Sequence, residues 1–194
     1  MAGTLDIFAV FTIYVLVEAT WLVLPAYAAN GLVPLFKGKR RLDFGKKFFD
    51  GEPILGPGKT IEGLVLGSIV GVIIGLVEML AFPYLPWTLS DVPLTLVGQS
   101  NLLMLPLLGF LLGFGAMVGD SVGSFFKRRL KLKRGQPAPL LDQLDFLFGA
   151  FLFASIIIGV PKLEWVILMA ILTPVFHFAA CVIGYLLKVK KEPW

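Results

Sequence analysis

Long apolar runs separated by short, strongly basic loops leave this chain little to fold into except a lipid bilayer. A helix crossing about 30 Å of hydrocarbon uses about 20 residues. Runs of that kind fall at residues 5–28, 61–82, 102–120, 146–160 and 165–187. The fourth is short, and a start nearer Leu141 lengthens it and puts Asp142 and Asp145 on its first turn. Composition supports the bilayer: 57% of the 194 residues are hydrophobic and 15% charged, against roughly 45–50% and 25% in soluble domains. The expectation is an all-α, polytopic membrane protein of about five transmembrane helices. Residues 1–194 then form one membrane-embedded domain, with no room for a large soluble one.

Orientation is read from charge. Every Lys and Arg except Lys162 lies in KGKRRLDFGKK (37–47), KRRLKLKR (127–134), KVKK (188–191) or at Lys59. Five alternating spans put all of these on one side, which the positive-inside rule makes cytoplasmic, with the amino terminus outside and the carboxyl terminus inside. MAGTLDIFAV has neither the basic n-region nor the small-residue cleavage site of a signal peptide, so its apolar stretch is read as a retained first helix. The outer loop 83–101 and the PKLE turn 161–164 are poor in charge, and the former carries Tyr and Trp suited to an interface. Cys181, the only cysteine, excludes an intrachain disulfide.

Chemistry on a water-soluble substrate falls to the basic side. If the third helix continues through GDSVGSFFKR (119–128), Asp120, Ser124, Lys127 and Arg128 fall at i, i+4, i+7 and i+8 on one stripe. Oxygen donors of that kind suit Mg²⁺, and the cations suit phosphate. Simple positive-inside anchoring accounts for Lys127 and Arg128 but requires no carboxylate beside them. In PAPLLDQLDF (137–146), Asp142 and Asp145 share a helix face at i, i+3. Acids are ordinary in a first turn, but two held close repel unless a cation intervenes. Gly56-Pro57-Gly58-Lys59-Thr60 lacks the first glycine of a Walker A loop and follows no strand. Its glycines, Lys59 and an N-capping Thr60 still suit an anion at a helix amino terminus. Asn30 reads equally as an Asn-Gly turn and as a functional group. Glu18, near the middle of the first span, is either functional or a protonated acid bonded between helices. Glu78 lies near the outer interface, and His177, the only histidine, reads as structural.

GDSVGSFFKRR followed by PAPLLDQLDF resembles the membrane cytidylyltransferases that make CDP-activated lipids, most closely the archaeal CDP-archaeol synthases. The resemblance extends to ANG near Asn30 and LGPGKTIEG near Lys59, in family order. Bacterial CDP-diacylglycerol synthases typically carry a His-Gly-Gly stretch ending Asp-Arg-x-Asp. Here Gln143 stands in the Arg position and the His-Gly-Gly is missing, which points away from diacyl substrates. The resemblance implies CMP transfer from CTP to 2,3-di-O-geranylgeranylglyceryl 1-phosphate in the cell membrane, with the site facing the cytoplasm and no nucleic-acid partner. It implies Asp120, Asp142 and Asp145 as Mg²⁺ ligands, with a second cation possible. Ser124, Lys127, Arg128 and Lys59 would then hold phosphates, with Thr60 capping and Asn30 positioning the nucleotide. A CDP-diacylglycerol synthase, a CTP-dependent polyprenol kinase, and a small transporter or scaffold are the alternatives.

Overall fold

The computed structural model describes residues 2–36, 38–84, 104–133 and 136–186, with side-chain surroundings described from Val15 onward except at Pro83, Met104 and positions 180, 181, 183 and 184. The described residues form five α-helices: α1 (Ala2–Leu32), α2 (Ile61–Ala81), α3 (Met104–Arg129), α4 (Leu141–Ile158) and α5 (Leu163–Leu186). Four stretches are long and apolar enough to cross a membrane: Val15–Leu35, Ile61–Ala81, Leu105–Arg129 and Leu141–Ile158. The apolar stretch of α5 that is described, Leu163–Ala179, is shorter. Most of the predicted outer loop, the KVKK stretch, Lys37, Arg134 and the side chain of Cys181 lie outside these residues.

Helix ends differ from expectation where local signals compete with packing. The first helix runs through Asn30-Gly31 to Leu32 instead of turning there, because Ala26 and Ala29 are fully buried and carry the helix past the pair. The third continues nine residues past Asp120, to Arg129, which brings the 119–128 motif onto a helix. The fourth begins at Leu141, as the placement of its acids suggests. Thr60 caps α2 by accepting the Gly63 N–H at 3.1 Å.

The third helix is the centre of the bundle, packed most extensively between α2 and α4. Glycines make this possible, since small residues let helix backbones approach where lipid offers no hydrophobic drive to associate. A Cβ on Gly71 would collide with the Gly109 carbonyl, and one on Gly113 with the Gly67 carbonyl. On another face of α3, Gly115 meets the Gly149 carbonyl and Gly119 the Asp145 carbonyl. Leu108, Leu112, Ala116, Leu147, Ala150 and Met169 fill the interior. The periphery is apolar too: Val65, Ile69, Ile73 and Leu80 form an exposed stripe on α2 and Leu152 and Ile156 one on α4, which suits hydrocarbon.

Glu18 is resolved into a clasp between α1 and α5. Its carboxylate is 3% exposed, accepts the Trp165 Nε1–H at 3.0 Å, and pairs with Lys162 at 3.5 Å. Lys162 also lies over the Trp165 ring, 4.7 Å from its centroid. His177 sits on the exposed side of α5, and Glu78 is buried in α2. Trp165→Phe removes the buried donor together with part of the buried ring, so thermal unfolding in detergent is expected to show a loss of at least about 1–3 kcal/mol; an unchanged midpoint would remove the clasp from the list of stabilising contacts.

Candidate active site

The chain between α1 and α2 folds back onto the ends of α2, α3 and α4. Residues 40–42 pair with 59–61 through Leu42 N–H to the Lys59 carbonyl and Ile61 N–H to the Arg40 carbonyl, both 2.9 Å. Residues 46–48 pair with 52–54 in a short hairpin. Arg129, at the end of α3, holds that hairpin: it donates to the Pro53 carbonyl at 2.6 Å and pairs with Asp50 at 2.7 Å. Its guanidinium also lies 4.8 Å from the Phe48 ring centroid and 4.6 Å from that of Phe125.

Asp43 is the buried carboxylate of this loop. It accepts backbone N–H groups from Gly45, Leu55 and Gly56, at 2.9, 3.0 and 2.9 Å. Burial pushes its pKa up, but these three donors and the nearby Arg41 charge outweigh burial and hold it below the usual carboxylate range.

A cavity of about 630 Å³ opens between this loop, the end of α1 and the faces of α2 and α3. Asn30, Lys39, Arg41, Pro57, Gly58, Lys59, Thr60, Asp120 and Ser121 supply its polar and loop walls, and Val33, Leu64 and Met117 its apolar ones. Lys59 reaches across and bonds Asp120. The anticipated anion loop, Asn30 and the first acid therefore share one chamber, and Asn30 reaches it as a helical residue rather than from a turn.

The rest of the predicted set lies at the α3–α4 crossing. Lys127 pairs with Asp142, whose other oxygen accepts the Ala138 N–H at 2.9 Å. The α3 stripe therefore splits, because Arg128 turns instead toward the 56–59 loop, its Nε 4.0 Å from where a Cβ on Gly56 would stand. That Nε is buried and has no hydrogen-bond partner among the described residues. Ser124 is buried at 5% and is not a wall of the cavity, whereas Ser121, one turn earlier, is. The hydroxyl that faces the chamber is thus a neighbour of the one singled out from spacing.

Asp145 sits hardest against α3. A Cβ on Gly123 would collide with its carboxylate, so the glycine makes the space in which that carboxylate lies. One oxygen accepts the Phe146 N–H at 2.6 Å; the other, Oδ2, is buried with no partner among the described residues. The charges of Asp120, Lys59 and Asp142 all act on it. Among the described residues no three His, Cys, Asp or Glu side chains come together as a ready metal-binding group. Asp120 and Asp145 are electrostatic neighbours, while Asp142 faces Lys127. The chain enters this helix through Leu140 at φ 65, a conformation costing a non-glycine residue on the order of 1–3 kcal/mol.

Residues 12–194 match the protein family described as CarS-like: CDP-archaeol synthase. The chain belongs to that family. It is 47% identical over 178 residues to the CDP-archaeol synthase of Methanopyrus kandleri, covering 91% of this chain and 92% of the relative. The CDP-archaeol synthase of Methanocaldococcus jannaschii is 38% identical over 179 residues, covering 92% and 97%. A solved structure described as "an intramembrane enzyme for archaeal membrane lipids biosynthesis" superposes with a TM-score of 0.70 at 36% identity, covering 84% of this chain and 92% of that one. The acids, lysines and glycines of the crossing therefore belong to a multi-pass CDP-archaeol synthase family member.

Proposed function

We propose that this chain transfers CMP from CTP to the phosphate of 2,3-di-O-geranylgeranylglyceryl 1-phosphate, forming unsaturated CDP-archaeol and pyrophosphate. A lipid phosphate oxygen attacks the α-phosphorus of CTP, and the bond from that phosphorus to the oxygen bridging to the β-phosphate breaks. The attacking oxygen is already anionic near neutral pH, so no base is required. The difficulty is the meeting of two anions, which fixed cations and dipoles relieve.

The observation that carries this reading is the buried Asp145 Oδ2, unpartnered among the described residues and electrostatically coupled to Asp120, which itself lines a chamber with Lys39, Arg41 and Lys59. An unpaired carboxylate oxygen is costly to bury, and a divalent cation is a fitting partner. Asp120 and Asp145 fit Mg²⁺, which usually takes one or two carboxylates and completes its shell with phosphate oxygens and water. Asp142, whose oxygens bond Lys127 and the Ala138 N–H, would join them as a third ligand by exchanging Lys127 for the metal, and a second cation is compatible with that set. Bound there, the metal supplies charge neutralisation across the triphosphate and polarises the α-phosphorus. Lys59 and Lys127 stand beside carboxylates at positions where phosphates would be met, and the buried Arg128 Nε–H is available to an anion at the 56–59 loop. Asn30 lines the chamber where a nucleotide would be oriented, and Thr60 holds the start of α2. The chain acts as one domain with five spans. The described parts of two basic stretches, 38–47 and 127–133, meet at one end of the bundle, which supports a cytoplasmic site and an outside amino terminus.

The test is product analysis with purified protein, CTP, Mg²⁺ and the geranylgeranyl-ether glycerol phosphate. Pyrophosphate and a CMP-bearing lipid in equal amounts, abolished by chelation and restored by Mg²⁺, are expected. Release of CDP with a diphosphorylated lipid would replace cytidylyl transfer by a kinase, and turnover unaffected by chelation would remove the metal.

A further inference from the structure

We propose that Asp43 is a positioning residue for the nucleotide: by gathering the backbone of its loop it sets where the Lys59 ammonium stands. The inference rests on the phosphate role proposed for Lys59. Asp43 is 6% exposed and lies in none of the motifs that carry the chemistry. One of its oxygens accepts the Gly45 N–H, two residues on, in a tight local turn. The other accepts from Leu55 and Gly56, 12 and 13 residues on, and so closes the hairpin at its base.

Position 56 is where the loop of interest begins. Gly56 has φ 95, a conformation that L side chains rarely adopt, and its N–H is one of those Asp43 holds. On the far side of the loop, Lys59 is tied back to Leu42, the residue before Asp43, through Leu42 N–H to the Lys59 carbonyl at 2.9 Å. Residues 57 and 58 therefore bridge two fixed points, both anchored at 42–43. The outcome is a Lys59 side chain that enters the chamber and meets Asp120.

Without these ties the segment, two of whose four residues are glycine, would be free, and ordering backbone costs about 1–2 kcal/mol per residue, charged against binding. Hydrogen bonds to an ionised acceptor are about twice as strong as neutral ones, and the depressed pKa of Asp43 keeps it ionised where the enzyme works. A neutral amide has one acceptor oxygen, and its NH₂ would face N–H groups.

The experiment is a double-mutant cycle in the full chain, with Asp43→Asn, Lys59→Ala and both, reading KM for CTP, kcat and the thermal midpoint. Asp43→Asn is expected to raise KM for CTP roughly tenfold to a hundredfold, the scale of losing one or two charged-acceptor hydrogen bonds, with kcat changed far less. Asp43→Glu, which keeps the charge, recovers part of the loss. In the Lys59→Ala background the Asn substitution should move KM less than about twofold, since a residue acting through another is non-additive with it. Unchanged KM in Asp43→Asn, or the same KM factor with Lys59 present and absent, would overturn the positioning role; a midpoint drop alone, with KM constant, would make Asp43 a stability residue. If Lys59→Ala itself leaves KM for CTP at its normal value, the phosphate role of Lys59 fails first and this inference with it.

Discussion

Asp145→Asn is expected to lower CMP transfer by about 10²–10³-fold or more, the scale of removing one fixed electrostatic contact from a transition state, while leaving the thermal midpoint unchanged or raised. The two signs differ for one physical reason. Asp145 Oδ2 is buried without a partner among the described residues, and the neighbouring Asp120 adds a second negative charge. Desolvating a carboxylate with an unpartnered oxygen costs several kcal/mol, which the Lys59 charge offsets only in part. A residue that lowers stability where it stands, and is nevertheless placed by a glycine cut to receive it, is the expected signature of a group held for a ligand. The neutral amide is nearly the same shape, so what it removes is the charge. Asp142→Asn is the instructive contrast, because it dissolves an ion pair with Lys127 and should cost stability as well as activity. Steady-state rates and thermal unfolding of both variants decide the matter: an Asp145→Asn enzyme within twofold of normal activity, or one inactive because it unfolds, would end the metal-ligand assignment.

Much of this is legible in the sequence, for reasons that differ by element. Four of the five expected spans are legible as long apolar helices among the described residues, because hydropathy is a collective property of about 20 residues and survives errors at single positions. Asp142 and Asp145 are legible as helix neighbours because a helix fixes the relation of i and i+3, but spacing does not show that Asp142 turns to Lys127 while Asp145 lies against Gly123. Lys59 and Thr60 are legible because glycines and a capping hydroxyl mark a helix start that suits anions. Asp43 was not, since its work is done by accepting backbone N–H groups 12 and 13 residues away, and no local pattern encodes that closure. The Asp-x-Gly spacing of 43–45 signals only the tight turn. Ser121 and Ser124 differ by less than one helical turn, so choosing between them requires the rotation of α3 that its neighbours impose. Asn30 misleads because Asn-Gly is a strong turn signal, outweighed here by the burial of the alanines beside it.

The glycines of the transmembrane helices are visible in the sequence but their pairing is not, and they carry a stability effect of their own. Gly67, Gly71 and Gly75 on α2, and Gly109 and Gly113 on α3, recur every fourth residue, one face of a helix. Which stripe meets which is a property of the packed bundle. Gly71→Ala is expected to destabilise the fold by about 1–3 kcal/mol, the usual cost of overpacking. The new methyl would strike the Gly109 carbonyl and stand 3.0 Å from the Gly113 Cα, and backbone atoms cannot step aside as side chains do. That loss must first overcome a gain, because alanine favours a helix over glycine by about 1 kcal/mol. Gly31→Ala isolates the gain: a Cβ there has nothing within 4 Å, so this variant should be slightly more stable. Gly123→Ala completes the series. Its methyl meets the Asp145 carboxylate, which can rotate away, but also stands 2.8 Å from the Asp145 Cβ, which cannot, so some stability should be lost while CMP transfer falls toward the level of Asp145→Asn. Thermal midpoints and rates measured together on the three variants therefore separate the two uses of glycine on α3, close approach to α2 and the seating of a carboxylate from α4. Equal midpoints for Gly71→Ala and Gly31→Ala would mean that α2 and α3 are not in backbone contact at Gly71.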